Sequence, residues 1–316
     1  MKTHIIALCA LTGLLLSGCG QKPEHPYGLS ARRIKETTEY LCNEIGDRPA
    51  STEKASMACD WLEERMLELG FSPENGTLER QPFFDLFDQP SENLIGICNP
   101  DSDGPVFCIM AHYDTVEGTP GARDNTSSVA TLLELARYLG TEREELDAQV
   151  RFLFLGSEEN GYHGASAYTK RLTEEEIARH LAAYNMENSA AHPGGRAVLI
   201  TGTHGGRRAD GYVKGDFLEP VENLVSQSFS WAYRHYYGGE TLLVHWGGSD
   251  HLIFHQYGID AANTSWKVTD ESGSPIRHPE YHEPTDTPEG LDFDGAVITG
   301  CCILGAIFHV VEELSF

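Results

Sequence analysis

The sequence predicts an α/β fold: a three-layer α/β/α sandwich around a mixed, mostly parallel central sheet. Three observations predict it. Apolar runs of strand length alternate with segments of helical period, the pattern of a sheet covered on both faces. Two of those runs, GPVFCIMAHYD and VRFLFLGS, are apolar at almost every position rather than every second one, as strands buried on both sides are. No internal repeat, low-complexity tract or linker-like segment divides the chain after the N-terminal region, so residues 29–316 read as one domain.

At the N-terminus, MKTHIIALCALTGLLLSGCG carries a Lys, an apolar run from Ile5 to Leu16 and small residues before Cys19. The run is shorter than the ~20 apolar residues of a bilayer-spanning helix and reads as an export signal. The ending Leu16-Ser17-Gly18-Cys19 resembles the bacterial lipobox. That implies removal of residues 1–18, lipid on Cys19, and a place in the bacterial cell envelope, on its periplasmic side or at the cell surface. Residues 19–28 are then the lipidated cysteine and a short tether. Helical periodicity follows in ARRIKETTEYLCNEI and in EKASMACDWLEERMLELG, the second stopped by Gly70. SENLIGICN and GPVFCIMAHYD read as strands on either side of the turn NPDSDGP. SVATLLELARYL reads as a helix, VRFLFLGS as a buried strand, and a helical stretch ends near His180. YNMENSA and RAVLITG read as further strands, and ENLVSQSFSWAYRHYY and the C-terminal GAVITGCCILGAIFHVVEEL as helices.

Hydrophobic residues make up 40% of the chain and charged ones 22%, enough for a sizeable core. The balance of 23 basic against 48 acidic residues gives a net charge of −25. That argues against a nucleic-acid partner, which needs a basic footprint. It fits a solvated acidic surface, part of which can gather around cations. After Cys19 come Cys42, Cys59, Cys98, Cys108, Cys301 and Cys302. Export permits disulfides. For Cys98 and Cys108, flanking NPDSDGP, a bridge across the turn and two plain buried thiols are both open. No CxxC pair is present, so cysteine-held zinc is not expected.

Open α/β sheets build their sites outside the carboxyl ends of the strands. There the notable polar residues fall. GPVFCIMAHYDTV ends with His112 and Asp114, and the loop EGTPGARDNTSS carries Asp124 just before a helix. VRFLFLGS leads into Glu158 and Glu159, YNMENSA holds Glu187, and the late loop HPEYHEPTDT holds His282. Singly, each has an ordinary explanation: Asp124 as an N-cap, Asp114 as a hydrogen-bonded loop residue, His282 as a solvated loop histidine. Together, from five segments at strand ends, they point to a metal centre. Imidazole nitrogen and carboxylate oxygen suit zinc. With one carboxylate bridging, three acids and two histidines can hold two ions. A metal also accounts for the adjacent Glu158 and Glu159, whose like charges at the mouth of a buried strand otherwise repel. Neighbouring side chains of an extended segment point apart, so one can bind metal while the other hangs over a substrate as a base.

The order and spelling of these segments resemble a known family, the zinc-dependent aminopeptidases of α/β/α fold related to bacterial leucyl aminopeptidases. AHYDTV resembles the family's His-x-Asp motif, GARDNTS its Gly-Ala-x-Asp-Asn motif, and GSEENGYHGA its Glu-Glu-x-Gly segment. GGSDHLIFHQYGI, YHEPTDTPEGLD and the early IGDRPAS are similar to further family stretches, so the resemblance runs from about Leu29 to the C-terminus. It implies that His112 and Glu187 bind one zinc, Glu159 and His282 a second, and that Asp124 bridges both. Asp114 would orient His112, Glu158 would be the general base, and Tyr281 would help hold an oxyanion. The chain departs from the family's Asn-x-Asp-Met in having Asn185-Met186-Glu187-Asn188. Aligning on Asn makes Glu187 the ligand, and aligning on Met puts Asn185 there; Glu187 is preferred because it keeps the ligand charge. The implied activity is removal of N-terminal residues from peptides by a zinc-activated water. Two rivals remain. Glutaminyl-peptide cyclotransferase shares the fold, but its members tend to have Asp-Gly-Glu-Glu and Trp-His where this chain has Gly156-Ser157-Glu158-Glu159 and Tyr281-His282. A catalytically inactive, lipid-anchored binding protein would be expected to lack the base or several ligands, and none is missing here.

Overall fold

The computed structural model describes residues 25–141, 146–190, 195–201, 206–208, 211–213, 222–245 and 248–315. The export signal, Cys19 and most of the tether lie outside them. In chain order the elements are α1 (Ala31–Tyr40), α2 (Glu53–Glu68), β1 (Leu78–Phe84), β2 (Pro90–Cys98), β3 (Val106–His112), α3 (Ser127–Thr141), β4 (Gln149–Leu155), α4 (His163–Lys170), α5 (Glu174–Arg179), β5 (His180–Glu187), β6 (Arg196–Ile200), the small hairpin β7 (Gly206–Arg208) and β8 (Gly211–Val213), α6 (Leu224–Tyr237), β9 (Leu242–Val244), α7 (His251–Gln256), β10 (Asp260–Lys267) and α8 (Phe293–Leu314). Local chemistry sets the helix starts. Ser30 and Thr52 cap α1 and α2 by accepting the backbone N–H groups of Arg33 and Ala55. Asn223 and Ser226 form a reciprocal capping box at α6.

Eight strands form one sheet in the order β1-β2-β4-β3-β5-β10-β6-β9. The central β4, β3, β5 and β10 are mutually parallel, while β2 pairs antiparallel with β4, and β6 antiparallel with β10. The sheet is therefore mixed, with a parallel centre, as the sequence predicts. Alternate residues of the central strands feed two cores. Phe107, Ile109 and Ala111 of β3, with Phe152 and Phe154 of β4, pack under α1, α2, α3, α6 and α8. Val106, Cys108 and Met110 of β3, with Leu153 and Leu155 of β4, face Ala165 and Tyr168 of α4 and Phe254 of α7. Helix α8 is long and apolar enough to cross a bilayer by length and composition, yet 72% of its most apolar stretch is buried within the protein, which makes it a core helix.

The structure decides one question that the sequence left open and adds elements it did not predict. SENLIGICN and GPVFCIMAHYD do not pair: β4 inserts between β2 and β3, so Cys98 lies opposite Val150 and Cys108 opposite Arg151. No bridge joins them, and all six cysteines after Cys19 are buried free thiols. Strand β1 and helix α7 form in segments to which the sequence reading gave no element. So does β10, a central strand spelled DAANTSWK, whose small and polar residues hide its burial.

Candidate metal centre

All the sequence-predicted site residues of the domain converge at the carboxyl edge of the parallel strands. His112 ends β3 and Glu187 ends β5, each on the face turned toward α4 and α7. Asp124 lies in the tight turn Ala122–Thr126 that leads into α3. Glu158 and Glu159 follow β4, just past Ser157, whose φ of 59° turns the chain sharply. His282, with φ of 61°, sits in the loop before α8.

The distances define the arrangement. His112 Nε2 lies 3.4 Å from Asp124 Oδ1 and 3.5 Å from Glu187 Oε1. His282 Nε2 lies 3.6 Å from Asp124 Oδ2 and 3.2 Å from Glu159 Oε2. The two oxygens of Asp124 thus face two different histidines, each accompanied by its own glutamate. Glu158 Oε2 is 3.9 Å from His112 Nε2. The ligand-type atoms of His112, Glu158 and Glu187 fall within 4.8 Å of one another, as do those of His112, Asp124 and Glu159. Among the described residues His282 Nε2 has no well-aligned hydrogen bond, and Glu159 Oε2 is the nearer of the two carboxylate oxygens that face it.

Two further hydrogen-bond systems hold these groups. His112 Nδ1 is 3.1 Å from the main-chain oxygen of Asp114 and 3.7 Å from its Oδ1. The Asp114 carboxylate accepts the backbone N–H groups of Glu158 at 3.0 Å and Glu159 at 3.1 Å. Asp114 therefore steadies the histidine mainly through its backbone and the glutamate pair through its side chain, the second a task the sequence did not reveal. On the other side, Asn185 Nδ2 donates to Ser249 Oγ at 2.8 Å, and Ser249 Oγ donates to Glu187 Oε1 at 2.7 Å. Between Asn185 and Glu187, then, it is Glu187 that stands beside His112, and Asn185 supports it through Ser249. Asp286 accepts the backbone N–H groups of Arg123 at 2.9 Å and Asp124 at 3.1 Å. Ser249 and Asp286 both lie in segments noted for their resemblance, but nothing in their spelling assigned them a partner.

The electrostatics follow from burial. Glu158, 8% exposed, is pushed well above the ordinary carboxylate range by loss of solvent, with Glu187, Asp250 and Glu159 adding to the rise against the pull of His112. Burial likewise raises Glu159. Burial works to lower His112, but the Glu158 and Glu187 carboxylates outweigh it and hold the ring well above its ordinary value. Asp124 ends below its usual range because His112, by hydrogen bond and charge, overcomes the upward push of burial. A cluster of buried carboxylates that repel one another and two imidazoles that face them form a donor set suited to divalent metal. The residues fit zinc.

His112, Asp124, Glu158, Glu159 and Glu187 floor a cleft of about 220 Å³. Its walls carry Tyr162, Ile200, Asn263, Lys267, Arg277 and Tyr281. Tyr281 stacks on the His282 ring with centroids 3.7 Å apart, and the Arg277 guanidinium lies 4.4 Å from the centre of the Tyr281 ring.

Comparison with known proteins agrees with this geometry. Aminopeptidase YwaD of Bacillus subtilis is 31% identical over 71% of this chain, and the probable lipoprotein aminopeptidase LpqL of Mycobacterium tuberculosis is 26% identical over 71%. The matched stretch spans about half of those relatives' own length, 46% in each case. Among solved structures, the zinc aminopeptidase BSAP from Bacillus subtilis superposes with a TM-score of 0.76 at 20% identity, covering 91% of this chain and 96% of that one. A glutaminyl cyclase from Porphyromonas gingivalis shares the fold with a TM-score of 0.68 at 20% identity, covering 89% of this chain and 99% of its own. The family model for peptidase family M28 matches residues 93–305, which include every group that floors the cleft, and so the chain belongs to peptidase family M28.

Proposed function

We propose that the protein is a metal-dependent aminopeptidase that binds two zinc ions and removes N-terminal residues from peptides. One observation carries the reading: the two carboxylate oxygens of Asp124 face two different histidines, His112 and His282, each with its own glutamate, Glu187 and Glu159. These five residues would hold the metals, with Asp124 between them. Bound zinc would polarise the scissile carbonyl and lower the pKa of water. Glu158 has no place among the five, although it stands at their edge. It is the general base, taking a proton from the attacking water and passing it to the leaving amine. Asp114 holds Glu158 in place by its grip on the Glu158 and Glu159 backbone. Tyr281, fixed against His282, lines the cleft where an oxyanion would form. The acidic floor attracts the substrate's α-ammonium group, which favours the amino end over the carboxyl end.

The deciding experiment incubates the soluble mature domain with defined peptides, half beginning with varied free residues and half with Gln, with and without a zinc chelator. Chelator-sensitive stepwise loss of N-terminal residues by mass spectrometry is expected. Loss of ammonia from the Gln peptides alone would reassign the protein as a cyclotransferase, and bound zinc with no change in any peptide would leave a binding protein. The Leu16-Ser17-Gly18-Cys19 sequence supports a lipid anchor at Cys19 and an envelope location, and the similarity to LpqL is consistent with both. Incorporation of labelled fatty acid that is lost in Cys19→Ser tests the anchor.

A further inference from the structure

The three most exposed large apolar side chains among the described residues sit together at the tip of the β1–β2 hairpin: Phe84 at 72%, Leu86 at 82% and Phe87 at 70%. The tip is held in place. Asp85 is buried, and its Oδ1 accepts the backbone N–H groups of Phe87 at 2.8 Å and Gln89 at 2.9 Å. Because β2 runs antiparallel to β4, the tip projects from the same edge of the sheet as Glu158 and Glu159. A groove of about 380 Å³ lies between the hairpin and α4, with Phe83, Phe84 and Leu86 on one side and His163, Ser166 and Lys170 on the other. Both walls are fastened to the reaction site. The His163 N–H donates to the Ser157 carbonyl at 3.0 Å, in the turn that carries Glu158. Asn93 of β2, fully buried, donates to the Gly164 carbonyl at 2.9 Å and accepts the Gly156 N–H at 3.1 Å. His163 is itself buried, and its Nε2 has no hydrogen-bond partner among the described residues.

We propose that this groove binds the downstream part of the peptide substrate, gripping an apolar side chain several residues beyond the scissile bond. The inference rests on the aminopeptidase reading above, whose substrate it narrows. A fixed, exposed apolar tip marks a contact surface. Its occupant follows from size, charge and place. Three such side chains offer on the order of 400 Å². That is about half of what each partner gives to a stable protein interface, yet enough for one or two peptide side chains. A second copy would also bring its own net charge of −25. Pro82, midway along the edge strand β1, leaves no N–H there with which to extend the sheet onto such a copy. A lipid anchor at Cys19 would hold a different part of the protein to a membrane. Its tether reaches the fold where His25 packs on Tyr237 and Tyr27 on Phe308 and on Tyr138, near the end of α3, whereas α3 starts beside Asp124. A peptide leaving the metal cluster, by contrast, meets the groove at His163, just past the Glu158–Glu159 turn. The eight residues of α4 run about 12 Å, the length of three or four extended residues. His163 Nε2 is placed to meet a main-chain group of that peptide, and Phe84 and Leu86 an apolar side chain.

Octapeptides that share the start Ala-Ala-Ala and carry one Phe, at each later position in turn within a Ser background, test the groove on the zinc-loaded protein. At least one Phe position should raise kcat/KM for loss of the first residue about 10-fold over the all-Ser peptide, the worth of burying much of a Phe side chain. The gain should vanish when Phe84→Ser, Leu86→Ser and Phe87→Ser are combined, substitutions at exposed positions that leave the core untouched. Rates indifferent to Phe at every position, or a preference that survives the triple substitution, overturn the groove while the peptidase reading stands. A different occupant overturns it too: concentration-dependent dimers in sedimentation velocity, or binding of the soluble domain to phosphatidylglycerol vesicles, that disappear with the same substitutions. If no octapeptide is cleaved, the peptidase reading is the one that fails. Fluorescence anisotropy of the same peptides, labelled, then decides the groove: a tenfold preference for a Phe peptide that the triple substitution abolishes supports it, and equal affinities sink it.

Discussion

Glu158 and Glu159 are adjacent in sequence and opposite in circumstance. Glu159 faces His282 at 3.2 Å, while Glu158 faces His112 at 3.9 Å and is the more buried of the two. Replacing Glu158 by Gln keeps its shape and removes its basicity. Turnover should fall by roughly 10²–10⁴-fold, the ordinary worth of a positioned base. Zinc content, measured by elemental mass spectrometry, should not change, and its loss would make Glu158 a ligand instead. Ser249→Ala tests the other end of the cluster. It strips Glu187 of a donor and leaves the Asn185 amide without its acceptor. Zinc affinity should drop about 10–100-fold, as for other outer supports of metal ligands, and competition with a chromogenic chelator would measure it. Much at this scale was legible: a two-residue period already put Asn185 and Glu187 on one strand face, and ligand charge already favoured Glu187. What joins them was not, because Ser249 is 62 residues away from Glu187 and no local pattern announces a long-range hydrogen bond.

Strands read most easily where burial is apolar. VRFLFLGS and GPVFCIMAHYD gave themselves away by hydrophobic content, and both lie in the parallel centre of the sheet. DAANTSWK lies there too, but Thr264 donates to the Asn185 carbonyl and Trp266 donates to Thr299, so the strand buries polar groups that are satisfied by partners. A hydropathy pattern cannot register satisfaction. The choice left open across NPDSDGP, a bridge or two plain thiols, turned on a partner far along the chain: β4 lies between β2 and β3 and keeps Cys98 and Cys108 on separate strands. Arg48, in the IGDRPAS segment, shows how far a loop residue can reach. Fully buried, it donates to the carbonyls of Tyr113, Leu41, Gly46 and Pro120 and to the hydroxyl of Thr126. These belong to the end of α1, the segment after β3 and the turn that carries Asp124. Arg48→Met should leave several buried acceptors unpaired and cost at least ~3 kcal/mol. Urea denaturation would show it, together with weaker zinc binding, since the segments bearing Asp114 and Asp124 lose their common tie.

At the scale of the whole molecule, the net charge of −25 and the buried acidic floor make stability depend on what neutralises that floor. With metal removed, protons must do it. Burial raises Glu158 well above its ordinary value, and also raises Glu159; neighbouring carboxylates hold His112 well above 6.5 and His282 above it. Each of these groups binds its proton more tightly in the folded chain than in the unfolded one. Stability therefore falls as pH rises through the folded values. The buried histidines His180, pushed down to about 4, and His255, also about 4, act in the opposite sense. Their contribution is lost as pH falls from about 6.5 toward 4 and is complete above that range. Above pH 6.5 these two histidines no longer contribute a slope while the first set still does, so the chelated protein should melt at progressively lower temperature between pH 6.5 and 8.5. Zinc reverses the sign. Its ligands must shed protons to bind it, so affinity increases with pH, and with it the stabilisation that mass action confers. The zinc-loaded protein should hold or gain melting temperature over the same interval. Scanning calorimetry of the two forms at pH 6.5 and 8.5 should thus give slopes of opposite sign. Parallel slopes would mean that the clustered carboxylates are not where the metal binds.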